Sequence, residues 1–180
     1  MNFAEYNVQD ANLEEVLLAL KSLDTVEAVA LGGSRSTGAS EENSDYDIYV
    51  YCSEIPTGKT RENLLGKYCS IAEFGNHYWE SEDNTVMNNG IPVDIIYREV
   101  DRFGRYIDTV IKGGKAFNGY TTAFWHNIKN SKVLFDKTGT FTKFRDMAQI
   151  DFPENLRSAI IKNNRNLLNG KLPSYDRQVK

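Results

Sequence analysis

The sequence feature that most limits the fold is a short apolar run that stops at a double glycine. Residues 26–31 (VEAVAL) are rich in apolar and β-branched side chains, and Gly32-Gly33 follows directly. Such a run is typical of a buried strand that leads into a tight turn. Two further runs, 45–52 (DYDIYVYC) and 91–98 (IPVDIIYR), predict two more strands. The chain is therefore expected to build a sheet.

Helical spacing of apolar residues occupies much of the remaining chain. This spacing predicts helices over 13–22, 34–40, 59–73, 100–112, 121–130, 140–149 and 154–169. Between them, the sequence predicts a weaker strand or loop over 75–87 and a short strand at 133–136. Asn89-Gly90 predicts a turn, which would join the segments on either side as a hairpin. The predicted fold class is mixed α and β (α+β), with a small mixed β-sheet flanked by helices.

Length and composition narrow the functional classes. The chain has 180 residues, of which 41% are hydrophobic, and this is enough to bury a core. A net charge of -4 disfavours nucleic acid as a partner, because phosphate binding usually needs a basic face. No apolar run reaches 18 residues, and the chain begins without a charged start followed by an apolar block, so we expect no membrane span and a cytoplasmic location.

The character of the chain changes near Asp151-Phe152-Pro153, after which only a helical pattern and a polar tail remain. We expect a domain over residues 1–150 and a short helical C-terminal extension over 151–180. The last helix carries an apolar stripe that needs a partner surface. Three alternatives are open: it packs back on the sheet, it forms a homodimer, or it begins a helical domain that a longer protein would complete.

Four features point to chemistry only when they are taken together. They are the turn Gly32-Gly33-Ser34 after the first strand, Asp45 and Asp47 at the start of the second, and Asp94 within the third. Residues two apart on a strand face the same side, so Asp45 and Asp47 can converge on one site. If the third strand lies beside the second, Asp94 can join them. Three crowded carboxylates repel each other unless cations lie between them.

The type of ligand predicts the metal. Carboxylate oxygens without His or Cys nearby favour Mg²⁺ or Mn²⁺ over zinc. Two such ions suit phosphoryl transfer, where one lowers the pKa of an attacking hydroxyl and the other neutralises the leaving pyrophosphate. Glycines in the turn let backbone N–H groups approach phosphate oxygens, and the start of the following helix favours anions.

This combination resembles the nucleotidyltransferase superfamily that includes DNA polymerase beta. The resemblance covers about residues 26–98, where G-G-S is followed eleven residues later by D-x-D and then by an Asp on a separate strand. The stretch LGGSRSTGASEENSDYDIYVY is similar to the small bacterial members, which include antibiotic-modifying and minimal nucleotidyltransferases.

The resemblance implies a nucleotidyltransferase fold and a role for each matched residue. It implies that Gly32, Gly33, Ser34 and Arg35 bind the nucleotide. It also implies that the metal ligands and catalytic residues are Asp45, Asp47 and Asp94, with Asp94 as a general base. An exposed, salt-bridging Arg35 is the alternative for that residue.

The function that the resemblance implies is transfer of AMP from ATP, with release of pyrophosphate, to a hydroxyl of a small molecule such as an antibiotic. Two alternatives remain at the level of the sequence. The acceptor is a protein, as in minimal nucleotidyltransferases of the antitoxin type, or the chain is a nucleotide-binding module without turnover.

Overall fold

The computed structural model describes residues 8–38, 44–78, 80–117 and 121–175, with side chains described as far as residue 165. The helices are α1 (Ala11–Lys21), α2 (Gly33–Thr37), α3 (Gly58–Leu65), α4 (Val100–Ile111), α5 (Ala123–Asn130), α6 (Thr140–Ala148) and α7 (Glu154–Tyr175). The strands are β1 (Val26–Leu31), β2 (Tyr46–Cys52), β3 (Cys69–Asn76), β4 (Ser81–Met87), β5 (Pro92–Glu99) and β6 (Lys132–Asp136).

The six strands form one mixed sheet in the order β3-β4-β5-β2-β1-β6. Strands β2 and β5 pair in parallel at its centre, and the other neighbours pair antiparallel. The amino-terminal ends of β2 and β5 therefore lie side by side. The carboxyl end of β1 lies beside them, because β1 is antiparallel to β2. There the amide N–H of Gly32 donates to the carbonyl of Asp47 at 2.8 Å.

Helices cover both faces of the sheet, since the central strands carry apolar side chains on both faces. One core combines α1 and Leu65 of α3 with strand residues such as Ile48 and Ile95. The other combines α4, α5, α6 and the start of α7 with Tyr49 and Tyr51 of β2. The predicted mixed sheet flanked by helices is confirmed.

One predicted element is wrong. The pattern predicts a single helix over 59–73, but α3 ends at Leu65, a 3₁₀ turn covers Gly66–Tyr68, and β3 begins at Cys69. Residues Ile71 to Glu73 are exposed on an edge strand, so no alternating burial pattern marks them as a strand. Pairing with β4 decides their conformation, and such tertiary pairing cannot be seen in local spacing.

The remaining predicted elements are present with shifted ends. The weaker region over 75–87 contains β4, and Asn89-Gly90 lies in a hairpin turn before β5. Helix α2 has only five residues, and the part of its predicted range beyond Gly38 lies outside the described residues. Of the two cysteines, Cys52 is buried and Cys69 is half-buried.

The start of α7 packs against the sheet domain. Leu156 is fully buried in the same core as Tyr51, and the side-chain amide of Asn163 donates to the carbonyl of Ala116 at 3.0 Å. Ile161, five residues after Leu156, is 59% exposed. The division at residue 150 and a homodimer through this helix stay predictions. Within the described residues, every helix is too short or too polar to cross a lipid bilayer.

Candidate active site

Two of the three predicted acids lie directly opposite each other at the centre of the sheet. Asp47 of β2 and Asp94 of β5 are partners in the parallel register, and both are half-buried. Paired residues of neighbouring strands point to the same face, so both carboxylates project on the side of α4 and α5. Asp45 lies one residue before β2 and is exposed. The sequence prediction that Asp94 shares a face with Asp47 therefore agrees with the observed register.

The electrostatic environment of Asp47 is set by burial and by the two neighbouring acids. Burial raises the pKa of Asp47 above its ordinary value, and the negative charges of Asp45 and Asp94 raise it further. The pKa of Asp47 responds to these neighbours because like charges close together disfavour ionisation. The site thus concentrates negative charge near the amino-terminal ends of the central strands β2 and β5.

This donor set fits a divalent cation of the Mg²⁺ or Mn²⁺ type. The side chains of Asp47 and Asp94 that share this face are carboxylates, and a bound cation would relieve the repulsion that adds to the effect of burial on the pKa of Asp47. In the described part of the chain, no group of three or more His, Cys, Asp and Glu side chains is already drawn together as a metal centre.

The glycine turn packs directly against Asp47. Gly33 has a positive φ of 60°, and a Cβ atom built at this position would lie 1.7 Å from Oδ2 of Asp47. A Cβ at Gly32 would lie 2.4 Å from the ring of Tyr49. Only glycine permits this close approach, which leaves backbone amides of the turn beside the carboxylate. The turn and the acids therefore form one continuous surface.

A pocket of about 210 Å³ opens beside this turn. The turn and α2 supply one wall through Gly32, Gly33, Ser34, Ser36 and Thr37, and α5 supplies the other through His126, Asn127 and Asn130. The α5 residues are not among the sequence predictions. Helical spacing could have grouped them on one face of α5, but only the tertiary packing of α5 against α2 brings that face to the turn.

Arg35 contacts protein groups in this structure. Its guanidinium lies 4.0 Å from the ring centroid of Tyr46, and its Nε donates to the carbonyls of Ser44 at 2.8 Å and Asp45 at 3.1 Å. These contacts hold the backbone that carries Asp45. A contact between Arg35 and a phosphate stays a prediction.

Aromatic and charged side chains lie further along the sheet face that carries Asp47 and Asp94. Tyr49 follows Asp47 on the same face of β2, and its hydroxyl accepts a hydrogen bond from Nδ2 of Asn127 at 2.7 Å. The buried Arg98 guanidinium lies 4.5 Å from the ring centroid of Tyr49 and forms an ion pair with Glu80. Burial raises the pKa of Tyr49 to about 12, so its phenol stays neutral. Tyr49 and Tyr51 are both buried on this face.

A comparison with protein families decides the class of this site. Residues 13–117, which include the turn and all three acids, match the model of the nucleotidyltransferase domain. The chain belongs to this family. It is therefore a transferase of the nucleotidyltransferase class, and its recognition from the glycine turn and the spaced acids is confirmed.

Three solved structures are similar to this nucleotidyltransferase domain at low sequence identity. A toxin-antitoxin structure with AMP-PNP is 15% identical and has a TM-score of 0.43, covering 93% of this chain and 98% of the other. A toxin-antitoxin MntA-HpeT mutant is 13% identical with a TM-score of 0.43, covering 95% and 100%. Cid1 with its short product ApU is 17% identical with a TM-score of 0.38, covering 67% and 39%. No curated protein sequence matches significantly.

Proposed function

We propose that this chain is a metal-dependent nucleotidyltransferase that transfers AMP from ATP to a hydroxyl group of a small-molecule acceptor. One observation carries the proposal: Asp47 and Asp94 lie opposite each other on parallel strands, with Asp45 beside them and Gly33 packed against Asp47. The family provides the reaction class, and the geometry supports the assignment of roles to these residues.

Each part of the site has a distinct task in the proposal. Asp45, Asp47 and Asp94 would hold Mg²⁺ or Mn²⁺, which supplies charge neutralisation at the triphosphate and makes the acceptor hydroxyl more acidic. The backbone amides and hydroxyl of Gly33 and Ser34 bind phosphate oxygens in the pocket beside α2. The close contact between Gly33 and Asp47 keeps the phosphates next to the acids.

The chemical step is an in-line displacement at the α-phosphorus. The acceptor oxygen forms a bond to this phosphorus, and the bond from the phosphorus to the bridging oxygen of the β-phosphate breaks. Pyrophosphate leaves with the electron pair of that bond. The carboxylate of Asp94 takes the proton of the hydroxyl as general base.

The proposed acceptor is a small molecule because the charge of the chain disfavours a polyanion. The net charge is -4, whereas recognition of nucleic acid usually depends on a basic face. A protein acceptor and a binding module without turnover are the competing outcomes of the test below.

The test combines a transfer assay with a binding assay. The chain is incubated with each of four α-labelled nucleoside triphosphates, Mn²⁺ and a panel of hydroxylated antibiotics or soluble proteins. We expect label from ATP on a small molecule and one pyrophosphate released for each transfer. Label on a protein would replace the acceptor, and preference for another nucleotide would replace ATP.

Calorimetry with a non-hydrolysable ATP analogue and Mn²⁺ separates catalysis from binding alone. Binding of the analogue without pyrophosphate release from any nucleotide, with any acceptor, would leave a nucleotide-binding module. Asp47→Asn serves as the matched inactive variant, because it removes one negative charge and keeps the volume of the side chain.

A further inference from the structure

We infer that Asn84 and Asn76 form a two-amide relay that positions the carboxylate of Asp94 for metal binding. This inference rests on the proposed function, because it assigns a role to Asp94 as a metal ligand. Neither asparagine is predicted from the sequence, and neither belongs to the glycine turn or the acid triad. Both are half-buried, at the side of the site opposite the turn.

The inner link of the relay joins β4 to β5. Asn84 and Asp94 are direct partners in the antiparallel register, and Nδ2 of Asn84 donates to Oδ1 of Asp94 at 2.9 Å. This bond occupies one carboxylate oxygen and limits rotation of the Asp94 side chain. The other oxygen can then face the position between Asp94 and Asp47, where a cation would bind. Hydrogen-bond partners behind metal ligands commonly fix ligand orientation in this way.

The outer link sets the direction of the inner one. Nδ2 of Asn76 donates to Oδ1 of Asn84 at 2.7 Å. An ionised carboxylate can only accept hydrogen bonds, so the amide nitrogen of Asn84 must face Asp94. Its amide oxygen then faces Asn76, which supplies the donor that this oxygen needs. The two bonds are consistent with only one orientation of the Asn84 amide.

An irregularity in β3 brings Asn76 within reach. The register between β3 and β4 shifts between Glu73 and Asn76, and Gly75 has a positive φ of 83°. The amide of Gly75 donates to Oδ1 of the buried Asp83 at 2.8 Å, which anchors the shifted backbone. A shift of this kind re-aims the following side chain, so Asn76 becomes the partner of Glu82 and the diagonal neighbour of Asn84.

A metal-binding measurement tests the relay apart from turnover. Asn84→Leu removes the amide and keeps most of its volume, and Asn76→Leu removes only the outer donor. Binding of Mn²⁺ in the presence of a non-hydrolysable ATP analogue is followed by electron paramagnetic resonance of free Mn²⁺. We expect Asn84→Leu to weaken Mn²⁺ binding by about tenfold, the lower end of the range for such supporting residues. Asn76→Leu should cause a smaller loss.

Thr85→Val is the matched control. The hydroxyl of Thr85 donates to the carbonyl of Val93 at 2.9 Å, so this variant also removes a side-chain bond from β4 to β5. It lies on the opposite face of the sheet and leaves Asp94 untouched. Mn²⁺ affinity in Thr85→Val should stay within about twofold of the wild type. Equal losses in Thr85→Val and Asn84→Leu would overturn the inference, as would wild-type affinity in Asn84→Leu.

A kinetic readout distinguishes positioning from general damage to the fold. With the proposed transfer reaction, Asn84→Leu should lower kcat and leave KM for ATP nearly unchanged, and Asn84→Gln should restore part of the loss. If Asn84→Leu fails to fold, Asn76→Leu carries the test, because it breaks the relay at its outer end. Altered Mn²⁺ binding without transfer by the wild type would support the relay and contradict the proposed function. A wild type that binds no Mn²⁺ would overturn both.

Discussion

The two faces of the sheet place neighbours of opposite charge around their acids. On one face, Asp83 of β4 is fully buried and lies 3.3 Å from Nη1 of Arg61, which is also buried. On the other face, Asp47 of β2 is half-buried and its charged neighbours are Asp45 and Asp94. The protein supplies a cation for Asp83 from its own chain, whereas the surroundings of Asp47 add negative charge.

Burial alone does not distinguish these two carboxyl groups. It is the largest influence on both, and it raises both pKa values. The neighbours differ: the amide of Gly75 and the charge of Arg61 lower the pKa of Asp83, whereas Asp45 and Asp94 raise that of Asp47. Asp83 is paired with a cationic side chain of the same chain. An acid surrounded by other acids is suited to a cation from solution.

The largest effect expected from this comparison is the loss of transfer in Asp47→Asn. A bound divalent cation contributes several kcal/mol of transition-state stabilisation, so loss of a ligand should lower kcat/KM by about 10³-fold or more. The assay is Mn²⁺-dependent transfer of labelled nucleotide. Asp101→Asn, at an exposed acid of α4, is the control and should keep full activity. Unchanged transfer in Asp47→Asn would remove Asp47 from the mechanism.

The second prediction concerns the other face. Asp83→Ala leaves Arg61 as a buried, uncompensated charge, which should cost about 3–5 kcal/mol of unfolding free energy. Urea denaturation followed by circular dichroism measures this loss. The double variant Arg61→Met with Asp83→Leu should recover most of it, because it removes both charges and keeps the volume filled. A loss below about 1 kcal/mol in Asp83→Ala would contradict the structural role of the pair.

The positions of the candidate acids on their strands can be predicted from the sequence, because they depend on local rules. The strand before Gly32 follows from a short apolar run, and a period of two explains why Asp47, Tyr49 and Tyr51 share a face. The placement of Asp94 required one further assumption, that the third strand lies beside the second. The observed pairing of β2 with β5 agrees with it.

The relay could not be predicted, because it depends on the length of a turn. Met87 and Ile91 close a loop of three residues, 88–90, in which Gly90 has a positive φ of 85°. A two-residue turn at Asn89-Gly90 would shift the register by one residue and turn Asn84 to the opposite face. Local sequence is compatible with either turn. The contact of α5 with the glycine turn is also tertiary and has no local signal.

The third prediction uses two glycines with similar backbone conformations. Gly33 and Gly38 have φ values of 60° and 77°, so alanine at either position pays roughly 1–2 kcal/mol of backbone strain. A Cβ at Gly38 meets nothing within 4 Å, whereas a Cβ at Gly33 would displace the carboxylate of Asp47. Gly33→Ala should lower kcat/KM by about 10²-fold, the cost of a small misplacement of a catalytic group.

Steady-state kinetics and thermal unfolding of both glycine variants make this test specific. Both melting temperatures should fall, that of Gly33→Ala further because its Cβ also displaces Asp47, and only Gly33→Ala should lose activity. Equal activities would mean that the turn tolerates displacement of Asp47, so that the uncompensated acid does not need its close contact with Gly33.

The smallest expected effect is the pH dependence of stability that Asp47 contributes. Burial and the neighbouring acids raise the pKa of Asp47 above its ordinary value of 3.8. As pH rises from that value through the raised pKa, the folded protein still binds a proton that the unfolded chain has released. The contribution of Asp47 to stability therefore falls over this window and stays unfavourable at neutral pH.

Asp47→Asn has no such proton, so its melting temperature in EDTA should exceed that of the wild type at neutral pH, by a margin that shrinks on acidification. Mn²⁺ should raise the melting temperature of the wild type more than that of the variant, because a ligand that binds the folded state stabilises it by an amount that grows with the logarithm of its affinity. Scanning calorimetry over a pH series, with EDTA or Mn²⁺, measures both differences. A wild type as stable as Asp47→Asn at neutral pH in EDTA would mean that burial and the neighbouring acids do not destabilise the charged form of Asp47. The contrast between the two faces would then disappear.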